Sequence, residues 1–198
     1  MKTYPLLQSQ TGLAIECVGN PEMTRYNVPA MAVVPKHIDT KRIQTALYRI
    51  IQARDTLRLR IVSDENGDLR QYVDDSLEIP VRMLRMTDEE AGSYIRNGFV
   101  RPFVPFSDEP LVRFEVIEAE TCNYALGDFH HLVADGTTIG MLFSAYDFPA
   151  ALRGEEIPRK DFSMLDYAVE EQEMLGGPDY LRAKEYYSNK FGGLSFTA

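Results

Sequence analysis

"LVRFEVIEAETCNYALGDFHHLVADG", residues 111–136, decides the fold. Two apolar segments, 111–119 and 124–131, flank the short polar connection "ETCN". Their length and β-branched and aromatic content predict a pair of central strands. The second segment ends on His130 and His131, and Asp135 and Gly136 follow four residues later. The whole 198-residue chain holds only three histidines, so two of them side by side here call for an explanation. Neighbours on a strand point to opposite faces. One imidazole must therefore be structural while the other faces a cavity.

The surrounding sequence alternates strands and helices. "RYNVPAMAVVP" reads as a strand ended by Pro35. Ile43, Ala46, Leu47, Ile50 and Ile51 recur at helical spacing, predicting an amphipathic helix over 40–54 capped at Asp39 or Thr40. "LRLRIVS", "DENGD" and "LRQYVD" form a strand, turn and strand, and "VRMLR" is a further short strand. Thr87 with Glu90 is a capping box that opens a helix running to about Phe99. After Gly136 the pattern turns helical through Ile139, Leu142, Phe143 and Tyr146, with Pro149 expected to bend or end it. Two more helices are expected at 163–175 and 179–191, separated by "GGP". Helices mixed with hairpins predict an α/β sandwich with a mixed sheet rather than a doubly wound one.

Composition narrows the function classes. Hydrophobic content of 44 % and charged content of 26 % place the chain among globular proteins. A formal net charge of -9 argues against nucleic acid, which needs clustered Lys and Arg. No segment approaches the roughly 20 apolar residues of a membrane span, and the start has no apolar signal region. Cys17 and Cys122 lie far apart without metal-ligand spacing, so two buried free thiols in a reducing cytosol are expected.

The chemistry at 130–136 is read by elimination. Opposed histidines are poor co-ligands and only His37 remains as a third, so no metal site is expected. No G-x-S-x-G elbow and no glycine-rich phosphate loop occurs. "RGEEIPRK" gathers Arg153, Arg159 and Lys160 in an acidic protein. It reads as a solvated loop.

"HHLVADG" resembles the HHxxxDG motif of nonribosomal peptide synthetase condensation domains, relatives of chloramphenicol acetyltransferase. "PLLQSQTGLAIE" with "NPEMTRYNVP" resembles that family's opening motif, with Gln10 at its glutamine. "IIQARDTLRLRI" is similar to the second motif but keeps only Asp55, Leu57 and Arg58; Ala53 and Arg54 replace its first Arg and its His. "RPFVPFSDEPLVRFEVI", "MLDYAVEEQ" and "YLRAKEYYSNKFGGL" follow in the family's order. The resemblance implies a chloramphenicol acetyltransferase-like two-layer α/β sandwich with a mixed, largely antiparallel sheet packed by helices. It also implies that residues 1–198 form the N-terminal subdomain, the C-terminal lobe being absent.

The implied reaction is amide bond formation between a donor acyl thioester and an acceptor amine. Both ride on phosphopantetheine arms of peptidyl carrier domains, and no cofactor belongs to the domain itself. The implied partners are the two carriers, the C-terminal lobe and an adenylation domain, with Arg153, Arg159 and Lys160 as an alternative contact for a carrier or its phosphopantetheine arm. His131 is the candidate to hydrogen-bond the amine, as general base or as orienting acceptor. His130 is read as structural. Asp135 is expected to need a cationic or amide partner if buried, either Arg58 or a residue of the other lobe. Gly136 is expected to permit a backbone conformation or close approach, with its N–H near the developing oxyanion. A stand-alone acyltransferase and a noncatalytic recruitment module are the alternatives.

Overall fold

The computed structural model describes residues 2–20, 23–158 and 163–192. The chain opens with a two-residue strand β1 (Tyr4–Pro5) and helix α1 (Gln8–Gly19), then β2 (Asn27–Pro35) and α2 (Thr40–Ala53). A 3-10 turn at Asp55–Arg58 leads into the hairpin β3 (Leu59–Ser63) and β4 (Leu69–Val73), then β5 (Val81–Arg85) and α3 (Asp88–Asn97). The central strands are β6 (Val112–Glu118) and β7 (Cys122–His130). After them come α4 (Gly136–Ile139), a π-helical turn at Gly140–Ala145, α5 (Asp147–Arg153), α6 (Met164–Gly176) and α7 (Pro178–Phe191).

The principal sheet runs β2-β7-β6-β5, antiparallel except for the β5–β6 pair. The hairpin does not join it: β3 and β4 pair with β1 in a separate three-stranded sheet, order β1-β4-β3. Both faces of the central pair are covered, which is why β6 and β7 read as nearly continuous apolar runs. Ala125 and Phe129 of β7, with Phe114 and Val116 of β6, belong to the main core together with α2. Leu126 and Ile117, on the other face, pack with Ala91 of α3 and Phe99.

Helix α2 forms where its periodicity places it. Ile43, Ala46, Leu47, Ile50 and Ile51 are all buried, and the Asp39 side chain caps its start. The aromatic centre of the core is Phe114, Phe129, Phe143 and Phe148, in alternating edge-on and stacked contacts. Gly127 leaves space for it, because a Cβ there would lie 2.7 Å from the Phe129 ring and 2.8 Å from Phe143.

Two local expectations are corrected. The helix after Gly136 breaks at Tyr146, whose φ of -131° and ψ of -65° leave the helical region. Pro149 neither ends nor bends it, because it sits in the first turn of α5, where a missing N–H costs nothing. Cys17 and Cys122 are free thiols, Cys17 buried as expected and Cys122 only half-buried. No helix among the described residues is long and apolar enough to cross a membrane.

Candidate active site at the end of strand β7

The two histidines separate: β7 ends on buried His130, and His131 is the first residue of the turn beyond it. His130 is 3 % exposed, set edge-on between the rings of Tyr26 and Phe103. Burial, with a smaller contribution from His131, pushes its pKa down to about 4, so it is neutral at physiological pH. Its Nδ1 accepts from the Leu132 N–H at 3.1 Å. A neutral ring with an accepting Nδ1 carries its proton on Nε2, and that nitrogen lies 3.5 Å from Cys17 Sγ. His131, by contrast, is exposed, while its backbone N–H donates to the Tyr26 carbonyl at 2.8 Å. The turn that follows β7 is tight: the Val133 N–H returns to the His130 carbonyl at 3.0 Å.

Asp135 does something different from the expected ion pair. It is exposed, and its Oδ1 accepts from both the Thr138 N–H and the Thr138 hydroxyl at 2.7 Å, capping α4. Those two bonds hold its carboxyl below the usual range, with a smaller contribution from His131. Arg58 is not its partner. The Arg58 guanidinium is buried elsewhere, donating to the Ile51 and Gln52 carbonyls and pairing with Asp55 at 2.8 Å and Asp75 at 3.2 Å. Gly136 also departs from expectation. Its φ is not positive, and a Cβ there would meet nothing within 4 Å, so nothing in the described residues requires glycine.

A partly buried ion pair does stand near this turn, Asp147 buried and Arg54 half-buried, at positions to which the motif reading gave no role. Arg54 Nε and Nη2 fork onto Asp147 at 2.7 and 2.6 Å, with side chains 15 % and 4 % exposed. Both line a cavity of about 400 Å³ that also touches Thr138, the residue Asp135 caps. Arg54 was legible only as a departure from the family's second motif, and Asp147 lies 93 positions away. Asp128, on the same strand face as His130, is likewise buried; it accepts from Asn27 at 2.8 Å and Arg113 at 3.3 Å. Of the basic cluster, Arg153 pairs with Glu155 on the surface, and Arg159 and Lys160 lie outside the described residues. Among the described residues no group of three or more His, Cys, Asp or Glu could hold a metal ion.

This geometry separates two aspartates by stability. Asp135→Ala removes an exposed helix cap and is expected to cost about 1 kcal/mol. Asp147→Ala leaves the half-buried Arg54 guanidinium with the Pro158 carbonyl alone among the described residues and is expected to cost more, towards the roughly 3–5 kcal/mol of a fully buried pair. Urea denaturation of the two variants checks the order. A larger loss for Asp135→Ala would contradict it.

The condensation-domain family model matches residues 1–197, and the chain belongs to that family. Tyrocidine synthase 3 of Brevibacillus parabrevis is 29 % identical over 191 residues, covering 96 % of this chain and 3 % of that protein. Surfactin synthase subunit 1 of Bacillus subtilis (strain 168) is 28 % identical over 193 residues, covering 96 % of this chain and 5 % of the relative. Among solved structures, the starter condensation domain of rhizomide synthetase RzmA superposes with a TM-score of 0.77 at 19 % identity. That match covers 98 % of this chain and 49 % of the other. The fold is therefore that of condensation domains, the chloramphenicol acetyltransferase-like sandwich, and the chain spans about half the length of such a domain structure.

Proposed function

We propose that residues 1–198 are the N-terminal lobe of a synthetase condensation domain that joins a carrier-bound acyl thioester to a carrier-bound amine. The amine nitrogen attacks the thioester carbon, the C–S bond breaks to release the phosphopantetheine thiol, and the nitrogen loses a proton. His131 accepts a hydrogen bond from that amine, orienting its lone pair and receiving its positive charge. A free α-amine has a pKa of about 8, so part of it is already neutral near pH 7 and orientation is a large share of the task. The observation that carries this reading is the split of the pair: His130 buried and neutral, His131 exposed on a pinned backbone.

Asp135 supports the site by starting the helix that follows, not by pairing with Arg58. The substrates arrive on the arms of donor and acceptor carrier domains, and the domain itself binds no cofactor. A C-terminal lobe closes the site, and an adenylation domain loads the carriers, in the cytoplasm. Product identity is the test. The full domain, given a loaded donor carrier and equal acceptor amine and alcohol, should yield amide by mass spectrometry. Ester as the main product would favour the stand-alone acyltransferase reading, and no product from either would favour a recruitment module.

A further inference from the structure

Helix α1 has three buried residues, Gln10, Ala14 and Cys17, at helical spacing. Two of them end on the turn that carries His131. Gln10 Nε2 donates to the Leu132 carbonyl at 2.8 Å and to Gln71 Oε1 at 2.9 Å. Gln71 Nε2 donates back to Gln10 Oε1 at 3.0 Å and to the Pro5 carbonyl at 2.8 Å, and the Leu7 N–H donates to Gln10 Oε1 at 2.8 Å. All four amide N–H groups of this fully buried pair are thereby used. Two turns further along α1, Cys17 Sγ receives the His130 Nε2–H.

Leu132 is therefore gripped from both sides. Its N–H is held by His130, which Cys17 backs, and its C=O is held by Gln10, which Gln71 backs. With the His131 N–H on the Tyr26 carbonyl, three anchors lie within one residue of His131. None of these hydrogen bonds involves its imidazole. A buried network this fully satisfied is a rigid support, and disrupting it costs geometry as well as stability.

We propose that α1 is the positioning element of the site, with Gln10 and Cys17 as positioning residues that set the direction in which His131 leaves strand β7. This rests on the reading of His131 as the residue that meets the amine. Both residues act through the Leu132 backbone and touch no substrate. The Gln10–Gln71 pair is replaced as a unit, because a lone partner would leave buried donors unpaired.

The variants are Gln10→Met/Gln71→Met, which keeps volume, and the milder Cys17→Ala. In the full condensation domain each should lower kcat, by roughly tenfold for the double variant, while KM for both carriers stays within about twofold. In a His131→Ala background the same substitutions should change the residual rate by less than about twofold. An equal fall in both backgrounds, or no fall at all, would overturn the proposal. A second readout needs no turnover: the ¹⁵N resonances of the His131 imidazole and the exchange rate of the Leu132 amide in the 198-residue chain. Both should change in the variants, and an unmoved His131 ring with unaltered Leu132 protection would overturn the proposal. If the unmodified domain forms no amide, the reading of His131 fails, while the ring resonance still decides the positioning role.

Discussion

The 198-residue chain alone, mixed with loaded donor and acceptor carriers, is expected to yield no detectable amide. Solved condensation-domain structures are about twice its length, and under the proposed reading the site lies between two lobes. Under that reading the second wall of the site is missing from this chain, in which His131 and Asp135 are exposed. Nothing then holds the thioester and the amine in contact, so the effective molarity of a closed site is lost. Well-oriented reactants gain about 10⁵–10⁸ M from that closure, so its loss places the rate far below detection. Water in the site also weakens each electrostatic contact. Mass spectrometry after long incubation checks this. Amide formed by the isolated chain would show that one lobe suffices.

On α7 no residue is buried, and Leu181, Tyr186, Tyr187 and Phe191 are all more than 40 % exposed. Exposed apolar side chains gathered on one element favour association.

Much of this architecture is legible in the sequence. The β6–β7 pair, α2 with its five buried apolar positions, and the Thr87–Glu90 capping box all follow from period and end signals. Strand alternation anticipates the opposed fates of His130 and His131, although β7 ends at His130 and His131 stands in the turn beyond it. Helix α1 was not legible as a helix, because its buried face is Gln10, Ala14 and Cys17 while Ile15 and Val18 look outward. An apolar stripe cannot be seen where the buried contacts are hydrogen bonds. Gln10 was visible only as a motif glutamine, and Gln71 gave no signal. Both became intelligible when β1, β4 and the Leu132 turn were brought to one place.

The two aspartates show the other limit. A carboxylate following an apolar strand suggests burial and a charged partner, yet one further turn of chain brings Asp135 to the surface as a cap. The partly buried pair belongs instead to Arg54 and Asp147, whose meeting depends on α5 folding back on α2. Local sequence carries caps well, because donor and acceptor lie three residues apart. It carries ion pairs across 93 residues poorly.

The central claim is that the exposed imidazole of His131 handles the amine. His131→Ala in the full domain should therefore slow amide formation by roughly 10²-fold or more, the usual scale for a group that accepts or orients a proton in the reaction. The fold should survive, because an exposed side chain contributes little packing, and thermal melting should move little. His130→Ala should behave otherwise, since it removes a buried ring set between Tyr26 and Phe103 and frees the Leu132 N–H. The most direct measurement is the single-turnover rate of His131→Ala with both carriers preloaded, so that neither loading nor product release intervenes. A rate about a hundredfold below the unmodified domain, in a protein with unaltered melting temperature, is the expected result. A single-turnover rate equal to that of the unmodified domain would contradict the assignment of His131 to the amine.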